Sequence, residues 1–131
     1  MKILHYINFI AILLLLIGIC VAEELVVSSS LQNIQSSCLE IEQLVEEEEN
    51  LKNMRVVLAV DNIEYDWTEN ENKMCYMVNH KNIQEIGQEI AKLKMYIEDD
   101  DVANFNVSVN EIKLYCHGYL HFMGANIHNV L

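Results

Sequence analysis

Three cysteines, Cys38, Cys75 and Cys116, are spaced 37 and 41 residues apart, and a fourth, Cys20, lies near the start of the chain. These intervals exclude a Cys-x-x-Cys redox motif and a zinc-finger pair, so the cysteines read as structural. His117, His121 and His128 form a second constellation. His117 and His121, four apart, would share one helix face as metal-binding pairs do. Only Cys116 is close enough to extend the set, so no metal or other cofactor is expected, and the pair reads as exposed or pH-responsive. No Ser/His/Asp set, phosphate-binding glycine loop, HExxH helix or paired-carboxylate motif stands at diagnostic spacing, and an enzyme is not expected.

The chain opens with Met1-Lys2, continues through an apolar block from Ile10 to Ile19, and reaches Cys20-Val21-Ala22 ahead of Glu23-Glu24. A basic start, a short apolar core and small residues before the cut describe a secretory signal peptide over residues 1–22. The uninterrupted apolar run is shorter than the roughly 20 residues that span a bilayer, so cleavage rather than anchoring is expected. A secreted, extracellular product follows, with no membrane attachment after cleavage. Cleavage also removes Cys20, which leaves an odd set of three: one bridge plus a leftover thiol, or an interchain bridge.

Cutting after Ala22 leaves 109 of the 131 residues, enough for a single small domain over residues 23–131. With 20 acids against 8 basic residues the chain carries a net charge of −12. That surface repels phosphate backbones and anionic lipids, so neither nucleic acid nor a membrane surface is an expected partner. The runs Glu46 to Glu49 and Asp99 to Asp101 lack the alternate spacing of a calcium loop and read as solvated helix ends. Asn106-Val107-Ser108 is a glycosylation acceptor in a secreted chain.

Proline is absent, which favours helices over loops and strand edges. The first amphipathic pattern spans Val26 to Glu49, with Leu31, Ile34, Cys38, Ile41 and Val45 on one face. Val56 to Val60 reads equally as helix or short strand, and Asp61 to Asn72 reads as an ordered connection in which Trp67 closes the core surface. A second helix runs from about Glu69–Lys73 to Glu98 along Ile83, Ile86, Ile90, Leu93 and Ile97, with Gly87 on its polar side. Ser108 and Glu111 form a capping box ahead of a last helix carrying Ile112, Tyr115, Tyr119 and Phe122. The fold class expected is all-α.

Cys38-x14-Leu51-Lys52-x2-Arg55, followed by a polar connection and Lys73-Met74-Cys75-Tyr76-Met77, resembles the insect odorant-binding protein family. The resemblance covers residues 38 to about 86. It implies a compact bundle of five to six helices with one intrachain disulfide. Cys75 and Cys116 match the second and fifth cysteines of that family, which pair with each other. Cys38 is left unpaired, or links two copies into a homodimer.

The function implied is a secreted, non-catalytic carrier that holds a small hydrophobic ligand in an internal cavity. Met54, Met77, Ile83, Ile86, Ile90, Ile112, Tyr115, Tyr119 and Phe122 would line it. These apolar stripes equally describe a filled core. The other reading is a secreted salivary- or venom-type interaction protein, which works through its helical scaffold and acidic surface without a small ligand.

Overall fold

The computed structural model describes the backbone of residues 2–77 and 80–128 and the side chains of residues 5–74 and 83–121. It contains four helices, α1 (Lys2–Glu48), α2 (Met54–Met77), α3 (His80–Asp99) and α4 (Val102–His128), and no strand among the described residues. Short connections make successive helices antiparallel. Each helix packs on two neighbours: α1 on α2 and α4, and α3 on α2 and α4. The diagonal pairs do not meet among the described residues. The bundle is thus a closed ring of four around one core.

Several expectations are corrected, among them the second helix, which begins at His80 rather than near Glu69–Lys73 because α2 continues to Met77. The all-α class holds, but with four helices rather than five to six. The polar stretch Asp61 to Asn72 is the middle of α2, because Val56, Val60, Ile63, Trp67 and Met74 keep the helical spacing through it and are all buried. The ambiguous Val56 to Val60 run is helical with it. Finally, no disulfide is found among the described residues, where Cys116 is a buried free thiol, so the expected Cys75–Cys116 bridge is not supported. Residues 75 and 116 sit on α2 and α4, which are diagonal and share no contact among the described residues. The side chain of Cys75 lies outside the described residues.

The core takes Leu31, Ile34, Cys38 and Ile41 from α1 and the full Ile83, Ile86, Ile90, Leu93, Ile97 stripe from α3, as the spacing predicts. From α4 it takes Phe105, Val109, Ile112 and Cys116, while Tyr115 and Tyr119 are only partly buried against it. Among the described residues the buried aromatic side chains are therefore Phe105 and Trp67.

Helix ends follow from local chemistry. Glu49 and Asp100 take the left-handed conformation that closes α1 and α3, with φ of 49° and 56°. Asn53 caps α2, its Oδ1 accepting from the Arg55 amide at 2.8 Å. Asp101 caps α4, accepting from the Asn104 amide at 3.0 Å. This displaces the expected capping box: Ser108 lies inside α4, because the helix begins at Val102.

Candidate functional site

Trp67 reaches across from α2 to α3 and packs against Gly87. A Cβ at Gly87 would stand 2.8 Å from the indole Nε1, so only glycine lets the ring lie this close to the α3 backbone. The residue is 4% exposed, and its Nε1–H is buried without an acceptor. An unpaired buried donor disfavours the folded state by about 1–3 kcal/mol, which makes it an unusual feature of a core.

Trp67 and Gly87 lie at the base of an open groove of about 430 Å³ between α2 and α3. Glu64, Thr68 and Glu71 edge it from α2, and Gln84, Gln88, Ile90 and Ala91 from α3. Glu64 is ion-paired with Lys94, which also meets Asp61 at 2.9 Å. Glu71 has no ion-pair partner among the described residues. The groove therefore offers two amides and a carboxylate surplus at its rim, and the buried Trp67 Nε1–H lies beneath its surface against Gly87. On its other side Trp67 borders a smaller recess of about 110 Å³ with Ser30, Asn33, Asp66 and Asn70.

The described members of the proposed cavity lining stand in different surroundings. Ile83, Ile86, Ile90 and Ile112 are fully or almost fully buried within the shared core. Met54 is 70% exposed at the start of α2. Among the described members of the set, only Ile90 lines either space beside Trp67. The side chains of Met77 and Phe122 lie outside the described residues.

Other candidate residues are placed plainly. Asn106 points outward from α4, but Ser108 of the same acceptor is buried and donates to Glu89 Oε2 at 2.7 Å. Lys92 donates to the other oxygen of Glu89 at 2.5 Å. Burial pushes the Glu89 carboxyl up, but hydrogen bonds from Lys92 and Ser108 outweigh it and leave it below the ordinary value. His117 and His121 are exposed, with rings stacked at 6.4 Å. Among the described residues no group of three His, Cys, Asp or Glu side chains could hold a metal. The side chain of His128 lies outside them.

The groove was partly legible. Ile63 and Trp67 continue the four-three spacing of Val56 and Val60, which marks Trp67 as a helical core residue. The facing of Gly87 toward it depends on how α2 and α3 pair, and spacing within one helix does not carry that.

No curated protein and no solved structure matches the chain, so the likeness to odorant-binding proteins finds no counterpart there. One family does match, over residues 23–130, and so covers the whole bundle while leaving out the exposed apolar start of α1. By that match the chain belongs to the family described as Domain of unknown function (DUF4363).

Proposed function

We propose that the protein is a non-catalytic interaction module working outside the cytoplasm, and that its α2–α3 groove holds a short cationic segment of a partner protein. The supporting observation is the buried Trp67 Nε1–H with no acceptor, at the floor of a groove with an acidic rim. A peptide carbonyl supplies the missing acceptor once binding turns the Trp67 ring enough to bring its Nε1–H to the groove surface. Lysine or arginine side chains on the same segment meet Glu71, and the net charge of −12 draws such a segment in. The burial of Ile83, Ile86 and Ile112 in one shared apolar cluster supports this reading over a hydrophobic carrier, whose ligand would have to part them.

Trp67 is the single tryptophan of the chain, so its fluorescence reports directly on the groove. Titration with short peptides rich in lysine and arginine is expected to shift its emission saturably, and less so as salt rises. Uncharged and acidic peptides should leave it unmoved. Saturable displacement of an apolar fluorescent probe by long-chain compounds, with no response to basic peptides, would overturn the reading in favour of the carrier.

A second reading concerns the N-terminus, where α1 runs unbroken from the apolar segment into the bundle. From His5 through Val26 its side chains are exposed except for the half-buried Glu24, and the first buried one among the described residues is Val27. Residues 2–22 as a helix are about 30 Å long, the thickness of the hydrocarbon core. The helix is long and apolar enough to cross a membrane, a property shared by signal sequences. Retention makes the segment an anchor from which the bundle projects, whereas cleavage after Ala22 releases a bundle whose core is complete. The mass of the mature chain separates the two: a start at Glu23 supports secretion, and a full-length, carbonate-resistant membrane protein supports the anchor.

A further inference from the structure

The four-helix ring has one seam without a covalent closure. Short stretches join α1 to α2, α2 to α3 and α3 to α4, but α1 and α4 meet only through non-covalent contacts. On that seam lie two free cysteines, Cys38 of α1 and Cys116 of α4, both 0% exposed.

Their register is set by a neighbouring ion pair. Lys113 of α4 binds Glu42 of α1. In antiparallel helices, stepping back four residues from Glu42 reaches Cys38, and stepping forward three from Lys113 reaches Cys116. Both steps are about one turn in the same direction along the seam. The two cysteines therefore share a layer of the core. Helices packed about 8–10 Å apart, with Cα atoms about 2.3 Å from each axis, bring facing Cα atoms within about 6 Å, the separation a disulfide spans.

We infer that Cys38 and Cys116 are a disulfide pair, oxidised to a bridge that closes the α1–α4 seam when the chain folds in a compartment containing a disulfide donor such as oxidised glutathione. The thiolate of one cysteine attacks the donor's disulfide and releases one donor thiol. The second cysteine then attacks the mixed disulfide, forms the Cys38 Sγ–Cys116 Sγ bond and releases the other donor thiol. Two protons and two electrons pass from the cysteines to the donor, which leaves as two thiols.

The order of events follows from burial. Burial pushes both thiols up to about 12, and the nearby Cys116 adds to the shift at Cys38. Few molecules then carry the thiolate at neutral pH, and no donor reaches sulfur atoms at 0% exposure. The bridge therefore forms during folding, before the seam closes, and the folded reduced chain oxidises slowly.

The test uses the full chain in mild detergent, unfolded under reducing conditions and refolded with reduced and oxidised glutathione. Expected is a monomer 2 Da lighter than the reduced chain, in which non-reducing peptide mapping joins the Cys38 and Cys116 peptides. The Cys75→Ser variant should give the same link, and its thermal midpoint should rise by about 10 °C on oxidation. The idea is overturned if mapping joins Cys38 to Cys75 or to a second chain. It is equally overturned if both Cys38 and Cys116 remain open to alkylation after oxidative refolding and denaturation.

Discussion

The indole of Trp67 lies so close to Gly87 that one added methyl group would stand 2.8 Å from Nε1. Two opposing effects meet at this position. Alanine raises helix propensity by about 1 kcal/mol over glycine, whereas overpacking a core contact disfavours the fold by about 1–3 kcal/mol. Trp67 is held between α2 and α3 and has little room to retreat, so the clash wins. Gly87→Ala should lower stability by about 1 kcal/mol, measured from the denaturant midpoint, and should shift the tryptophan emission. A stabilised variant with unchanged emission would refute the contact.

A second pair of residues ties α3 to α4. Ser108 donates to Glu89, which is 7% exposed and also holds Lys92. Ser108→Ala leaves a buried carboxylate oxygen short of a donor and should reduce stability by about 1–2 kcal/mol. The Glu89 carboxyl lies below its ordinary value in the folded state. Its contribution is complete above the unfolded carboxylate value and is lost as pH falls through the folded one. The acid limb of the stability profile should therefore be shallower in Glu89→Gln than in the native chain, as followed by thermal melts between about pH 6 and 3.

What the sequence shows and hides is clear from these residues. The stripe from Ile83 to Ile97 declares its face because every apolar position repeats at three or four. Asp61 to Asn72 hides its helix, since a dense polar surface outweighs the buried Ile63 and Trp67 on the opposite side. The Ser108–Glu111 spacing imitates a cap, yet Asp101 stands at the helix start and Ser108 turns inward to Glu89. The relative placement of the cysteines was the least legible feature, because it depends on which helices are neighbours and which are diagonal. Cys75 and Cys116 fall on a diagonal, whereas Cys38 and Cys116 fall on a seam.

The start of α4 gives a prediction of its own. Asp101 accepts from the backbone and side-chain nitrogens of Asn104, which holds its carboxyl below the usual range. Asp101→Ala should lower the thermal midpoint, and Asp101→Asn should keep most of the loss from appearing, because an amide oxygen still caps the helix. The depressed carboxyl stabilises above its unfolded value and loses that effect as pH falls through the folded one. The gap between the native chain and Asp101→Asn should accordingly shrink in acid. An equal gap from pH 7 to pH 3 would exclude a charged cap.

The groove itself is tested most directly at Trp67, by separating the shape of the ring from its N–H. Trp67→Ala removes a buried aromatic side chain and should lower stability by about 3–5 kcal/mol, which confounds any binding result. Trp67→Phe keeps an aromatic ring while deleting the Nε1–H, a donor that has no acceptor in the folded chain. The loss of packing volume is then offset by relief of an unsatisfied donor, and the net change should stay within about 1.5 kcal/mol. If the donor serves a bound peptide carbonyl, the same variant should weaken binding of a basic peptide about tenfold, the equivalent of one hydrogen bond of about 1.4 kcal/mol. With tryptophan gone, that affinity is read by calorimetry. Unchanged affinity in a well-folded Trp67→Phe chain would mean that the groove does not use its buried donor, and the reading built on it would fall.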